Sequence, residues 1–277
     1  MNIYLQHIVP HHTLTWIAKR LANCRWRFWK NWAIKRYIRD HNIDLSAALL
    51  ENIEDYPDFN SFFTRRLKPD LRPIVQGKNE IACPVDGCIS QIGTIKEDIL
   101  FQAKGFYYSL NSLFGGQIEY ADPFHNGKFA TLYLSPKDYH RVHTPITGRL
   151  RATIYIPGRL FSVNQQAVRG IPNVFTRNER LICIFDTELG SMAVIFVGAM
   201  LVGGIQTVWP MNAFSRKIAT QTYSDITLER GAELGRFNIG STVILLFEKN
   251  VMNWANTLQE ETQIKMGQLL ATTKNIL

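Results

Sequence analysis

Gly235-Arg236-Phe237-Asn238-Ile239-Gly240-Ser241-Thr242-Val243-Ile244-Leu245-Leu246-Phe247 is the stretch on which the reading of this chain turns. Its second half, Val243 to Phe247, is a β-branched and aliphatic run of the kind that fills a buried strand. Directly before it stands Gly240-Ser241-Thr242. Glycine admits backbone angles closed to other residues, and it leaves the Gly240 carbonyl open to the hydroxyl of its own neighbour. Two readings stay open. One is a turn feeding a strand. The other is a self-processing serine, which needs a base and an orienting acid from elsewhere in the chain.

Outward from this stretch, short strand-like segments with glycine and proline punctuation begin at Ile81. They are Gly87–Ile95, Phe129–Leu134, Leu150–Ile156, Leu181–Asp186, Met192–Val197, Ser241–Phe247 and Ile264–Ala271. Few long helical patterns interrupt them, so the core is expected to be a mainly antiparallel sandwich or barrel. Before it, Ser46 to Ile53 reads as a short helix and Asp58 to Leu67 as a helical turn. The two prolines of Lys68-Pro69-Asp70-Leu71-Arg72-Pro73 then end regular structure. The expected class is α+β, with a helical arm and linker over residues 1–75 and a β-rich core over 76–277.

The formal charge of +8, from 31 basic and 23 acidic side chains, is unevenly placed. Residues 1–39 hold Lys19, Arg20, Arg25, Arg27, Lys30, Lys35, Arg36 and Arg39 and no acid, which leaves the rest of the chain neutral. Trp16, Trp26, Trp29, Trp32 and Phe28 are interleaved with these cations. Leu14, Ile17, Leu21, Cys24 and Phe28 recur at spacings of three and four, one face of a helix. Indoles settle at headgroup depth while Lys and Arg meet anionic lipid, so the arm suits a membrane interface. Packing on its own domain and binding single-stranded nucleic acid are the alternatives. Cys24, Cys83, Cys88 and Cys183 are scattered, without zinc spacing or a disulfide framework, which fits a reducing compartment. No cleavable signal is expected at Met1 to Pro10. The longest uncharged apolar run, Met192 to Ile205, is too short and glycine-interrupted to span a bilayer.

The base is sought in Ser135-Pro136-Lys137-Asp138-Tyr139-His140-Arg141-Val142-His143-Thr144-Pro145. Ser135 as a cap, Pro136 at the first position and Asp138 three after the cap predict one short helical turn. If that turn continues, His140 and His143 share a face. The acid candidate is Asp86 in Pro84-Val85-Asp86-Gly87, which reads equally well as a plain Asp-Gly turn. Asp86, His143 and Ser241 have the chemistry of an acid, base and nucleophile set, although spacing alone does not bring them together.

From about Phe59 to Phe247 the chain resembles the phosphatidylserine decarboxylases. The resemblance is carried by Phe62-Phe63-Thr64-Arg65, Pro84-Val85-Asp86-Gly87, Gln102-Ala103-Lys104-Gly105 and Tyr108-Ser109-Leu110. It continues through Tyr133 to His143, Leu160-Phe161-Ser162-Val163-Asn164, Asn178-Glu179-Arg180 and Gly235 to Thr242. Bacterial relatives usually carry leucine where this chain has Ile239, one apolar residue for another. The basic arm matches the family's peripheral attachment to the cytoplasmic face of the inner membrane.

The resemblance implies a zymogen that cuts itself between Gly240 and Ser241, giving a β chain of residues 1–240 and an α chain of 241–277. These remain together as a heterodimer, open to further dimerisation. Ser241 would attack the Gly240 carbonyl, with His143 as base and Asp86 orienting it, and the ester so formed eliminates to leave a pyruvoyl group made from Ser241. That group forms a Schiff base with phosphatidylserine and serves as the electron sink for loss of CO2, giving phosphatidylethanolamine. His140 is implied in decarboxylation, with Phe161 and Ser162 lining the headgroup pocket. No metal and no nucleic acid are implied. A serine hydrolase built on the same three residues, or a noncatalytic binding module, would stay as one uncut chain; the hydrolase also lacks a Gly-x-Ser-x-Gly elbow.

Overall fold

A computed structural model describes residues 6, 10–199, 204–211, 217–238 and 241–274, and for Ser241 the backbone alone. The chain is α+β, with helices at the N-terminal side and antiparallel sheets after them. Helices His11–Ala22 and Arg27–His41 are separated by Asn23 to Trp26, so the apolar stripe foreseen from Leu14 to Phe28 is broken into two. The second helix ends at Asn42 in the left-handed conformation (φ 51°), which asparagine tolerates.

Lys30 points inward. Its ammonium donates to the carbonyls of Ile53 (3.1 Å), Glu54 (3.1 Å) and Tyr56 (2.8 Å), using all three of its donors. Around it a small apolar cluster of Ile34, Ile43, Tyr56 and Phe62 joins the helix to the following segment. The helix expected over Ser46–Ile53 does not form. A turn at Ser46, an isolated bridge from Ala48 to Leu67 and a 3-10 turn at Ile53–Asp55 take its place, because Ser46 bonds back to Asp44 and Asn52 caps Glu54. Helix Phe59–Phe63 does form, capped by Asp58, whose carboxylate accepts from the Ser61 amide at 2.8 Å.

The core is organised on a nine-stranded antiparallel sheet. Its strands run in the order Ala219–Thr222, Gly148–Ile156, Arg180–Thr187, Gly190–Val197, Ser241–Phe247, Lys128–Leu134, Gly87–Thr94 and Gln263–Ile264, with Thr227–Leu228 added alongside Gly148–Ile156. Both ends of this order remain edges, so no barrel closes among the described residues. Strand Ser241–Phe247 lies in the interior of the sheet, paired on one side with Gly190–Val197 and on the other with Lys128–Leu134. Val243 to Phe247 are fully buried, as a strand covered on both faces must be.

Two predicted features differ. Ile264–Ala271 is not one strand but two, Gln263–Ile264 and Leu269–Thr273, in different sheets. Between them Gly267 takes φ +86°, and a Cβ there would lie 2.5 Å from the Pro73 carbonyl oxygen. The second difference concerns the histidines. Asp138 does bond back to Ser135, accepting from its amide and hydroxyl at 2.7 Å each, but only a turn follows. The chain then becomes strand Arg141–His143, because its backbone pairs with Glu233–Phe237 instead of coiling on itself.

Candidate active site

Two ladders fix the site. Strand Lys128–Leu134 pairs with Ser241–Phe247, Leu134 facing Ser241. Strand Arg141–His143 pairs with Glu233–Phe237, His143 facing Glu233, and the Phe237 amide donates to the His140 carbonyl at 3.1 Å. The same two stretches of chain therefore cross together from the small sheet to the large one. One crossing is made by residues 135–140; the other runs from Asn238 to Ser241. Ile239 and Gly240 lie outside the described residues; before them Phe237 is held to the His140 carbonyl, and after them Ser241 faces Leu134.

Asp86 arrives at the same end of the sheet. Strand Gly87–Thr94 pairs with Lys128–Leu134, and a Cβ at Gly87 would sit 2.3 Å from the Tyr133 carbonyl oxygen, so only glycine lets the strands approach there. The His143 amide donates to the Pro84 carbonyl at 2.9 Å, tying the base strand to the Asp86 turn.

The side chains are arranged differently from a simple relay. His143 Nδ1 donates to the Gly231 carbonyl (2.8 Å), since a carbonyl can only accept, and this leaves Nε2 with its lone pair. The Tyr139 hydroxyl donates to that lone pair at 3.0 Å, its ring stacked on the imidazole. Asp86 is engaged elsewhere. Its carboxylate accepts from Arg72 Nε (2.9 and 3.1 Å), Arg72 Nη2 (2.5 Å) and the Met266 amide (2.9 Å). The ring of His143 is thus oriented by Gly231, and Asp86 acts on it only through its field. Burial, opposed by the Gly231 bond and then by nearby Glu233, holds His143 below the ordinary histidine range.

His140 does not share a face with His143. Its ring packs on Phe63, centroids 4.1 Å apart, and Nδ1 donates to the Asp138 carbonyl at 2.8 Å. Nε2 is buried and without a hydrogen-bond partner among the described residues. Complete burial lowers this group to about 3, so the ring is neutral at ordinary pH. Phe161 and Ser162 lie under the arm: Phe161 meets the His11 ring edge-on (5.1 Å) and the Arg177 guanidinium over its face (4.5 Å), while the Ser162 amide donates to Gln6 Oε1.

With this geometry in view, comparison with known proteins gives a consistent answer. The family model described as phosphatidylserine decarboxylase matches residues 59–272, and a second, described as PSD, matches residues 1–42. The chain belongs to the phosphatidylserine decarboxylase family. A phosphatidylserine decarboxylase proenzyme of Pseudomonas putida strain GB-1 is 48% identical over 280 residues, spanning 97% of this chain and 96% of that relative. The proenzymes of Bordetella avium strain 197N and Bordetella pertussis strain Tohama I are 48% and 46% identical, over 98% and 96% of this chain and 94% and 92% of theirs.

Among the described residues this family member has no group of three or more His, Cys, Asp or Glu placed to hold a metal, and no helix long and apolar enough to cross a membrane. Arg72, Tyr139 and Gly231 escaped the reading of the sequence. Tyr139 stood inside the quoted histidine segment. Arg72 stood between two prolines, where a rigid linker gives a side chain a fixed direction, and that was its one legible signal. Gly231 acts through its carbonyl, which no residue type announces.

Proposed function

We propose that this chain is a phosphatidylserine decarboxylase made as a proenzyme that cuts itself between Gly240 and Ser241. The observation that supports the reading is that the chain on either side of the proposed cut is held to the histidine-bearing stretch, Phe237 to the His140 carbonyl and Ser241 facing Leu134. His143, neutral with its Nε2 lone pair available, takes the Ser241 hydroxyl proton as the oxygen attacks the Gly240 carbonyl. Gly231 fixes the tautomer, Tyr139 yields its hydrogen bond, and the Asp86 charge favours the imidazolium that forms. The bond broken is the Gly240–Ser241 amide, and the proton passes to the freed nitrogen.

The residues present suit a pyruvoyl group at position 241: His140 carries a buried acceptor nitrogen without a partner among the described residues, free to hold a proton for the chemistry there. Such a group supplies an electron sink for the carbanion left by loss of CO2. His140, neutral and wedged against Phe63, holds or delivers a proton at Nε2. Phe161 and Ser162 form the arm-facing wall. Residues 1–75 act as a membrane-associating arm and linker on the core of 76–277, the two cut chains stay together, and the arm holds the enzyme peripherally on the cytoplasmic face of the inner membrane. The test is the mass of the purified protein. Two pieces, residues 1–240 and a carbonyl-blocked 241–277, are expected, with CO2 released from phosphatidylserine; a single uncut chain that still decarboxylates would sink the reading.

A further inference from the structure

Helix His11–Ala22 spans from Phe161, on which its first residue sits, to a cavity of about 360 Å3 between arm and core, which its last turn reaches. Lys19, Asn23, Asn60, Gln206 and Asn238 supply the polar lining, and no acidic side chain is among the lining residues. The amide oxygens of Asn60 and Asn238 are buried and unpartnered among the described residues. Buried carboxamides rarely go unsatisfied unless a ligand or water completes them. Asn23 is already turned to the Lys19 carbonyl (2.7 Å), and Gln206 accepts from Arg236 (3.0 Å), so Lys19, Asn60 and Asn238 remain open to a guest.

The cavity adjoins the chemistry on two sides. Asn238 stands three residues before Ser241, and its amide donates to the Gly204 carbonyl, closing one wall. Asn60 lies one helical turn before Phe63, the residue packed on His140, so both are on the same face of helix Phe59–Phe63. A small, half-open space with one cation, two unsatisfied amide oxygens and no acid suits a compact anion that also carries a hydrogen-bond donor.

We infer that this cavity binds the phosphoserine headgroup, with Lys19 on the phosphate and the Asn60 and Asn238 amide oxygens accepting from the serine ammonium. The inference rests on the decarboxylase reading for its ligand but not for its test. In this arrangement the phosphate lies toward the arm, where the lipid arrives, and the amine and carboxylate lie toward position 241 and His140. Lys19 and Asn60 are then specificity-determining residues: they set affinity for the headgroup without touching the bond that breaks.

The experiment uses the full chain carrying Ser241→Ala, which needs neither cleavage nor turnover, and measures binding of water-soluble glycerophosphoserine by calorimetry. Lys19→Gln and Asn60→Leu are each expected to weaken binding about tenfold or more, whereas Arg20→Gln, which removes an arm cation outside the cavity, leaves it unchanged. In the otherwise native chain the same two substitutions should leave the two-piece pattern on a denaturing gel intact. They should raise KM for phosphatidylserine in mixed micelles about tenfold and change kcat less than twofold. Unchanged binding in both Lys19→Gln and Asn60→Leu overturns the inference, as does an equal loss in Arg20→Gln, which would make the effect one of arm charge. Inorganic phosphate binding as tightly as glycerophosphoserine would also overturn it, leaving a general anion site. Absence of cleavage and of decarboxylation in the native chain would instead strike the functional reading, while the calorimetry still decides the cavity.

Discussion

His143 and His140 are three residues apart and do unlike things because the backbone between them is extended, not helical. The first has its Nδ1 proton on Gly231 and its lone pair under the Tyr139 hydroxyl; the second is sealed against Phe63. His143→Ala is therefore expected to accumulate uncut chain, while His140→Ala cuts itself normally and turns over about 10²–10⁴-fold more slowly, the usual contribution of a proton-handling group. A denaturing gel run beside a CO2 assay separates the two, and the reverse pattern would exchange the roles. The pH dependence follows from burial. A base is competent when neutral, and His143 is held below the ordinary histidine range, so self-cleavage should persist as pH falls through 6.5 and fail only beneath it. His140 has its folded value near 3 against 6.5 when unfolded. Between those values the unfolded chain binds the proton and the folded chain does not, so stability drops as pH falls through that window. The slope contributed is about 1.4 kcal/mol per pH unit for one proton. Urea midpoints measured across pH 6.5 to 4 should show this slope shrink in His140→Asn; an unchanged slope would remove His140 as its source.

Strand Ser241–Phe247 was legible because burial on both faces demands an unbroken apolar run, and the structure reproduces its limits without shift. The strands beside it were legible to within a residue or two for the same reason. What misled was local chemistry that tertiary pairing overrode. Ser135, Pro136 and Asp138 make the expected cap contacts, yet pairing of Arg141–His143 with Glu233–Phe237 pulls the next residues into a strand. At Ile264–Ala271 the apolar spacing hid a turn, although Gly267 marked it. The residue types of the site were readable, but not the partners: Asp86 was expected on His143 and is held by Arg72, from a linker that the sequence showed only as a boundary. The element most sensitive to a single atom is the pair Gly87–Thr94 and Lys128–Leu134. Gly87→Ala would put its Cβ 2.3 Å from the Tyr133 carbonyl oxygen, and the strand end carrying Asp86 must move to admit it. We expect a loss of about 1–3 kcal/mol, the usual cost of overpacking, together with slower self-cleavage. Cutting at the native rate would mean that the position of Asp86 is unimportant.

At the scale of the molecule the arm divides into cations that hold it to the core and cations that face outward. Lys30 belongs to the first group, with three carbonyls on its ammonium, and Arg27 pairs with the partly exposed Glu54. Arg20, Arg25 and Lys35 are exposed, as are Trp16, Trp26, Phe28 and Trp32, with Phe28 76% and Trp26 67% accessible. So many large apolar side chains on one appendage mark an interaction surface. Aromatic rings among cations fit a lipid headgroup layer better than bulk water. Lys30→Ala leaves the buried Tyr56 carbonyl unsatisfied, at about 1–3 kcal/mol, and frees the part-buried carbonyls of Ile53 and Glu54, so the Tm should fall before lipid binding is even tested. The triple replacement Arg20→Gln, Arg25→Gln and Lys35→Gln should leave the Tm nearly unchanged, since exposed charges contribute little to folding. Near an anionic surface each basic residue contributes roughly 1 kcal/mol, so losing three should weaken binding to phosphatidylserine vesicles by about two orders of magnitude. Added salt should weaken the native protein in the same direction, while the indole and phenyl rings retain part of the binding when the charges are screened. Vesicle cosedimentation at low and high salt, with neutral phosphatidylcholine vesicles alongside, reads all of this. If native and triple-substituted proteins bind both vesicle types equally, the exposed cations of the arm do not meet lipid, and the membrane role of residues 1–75 fails with them.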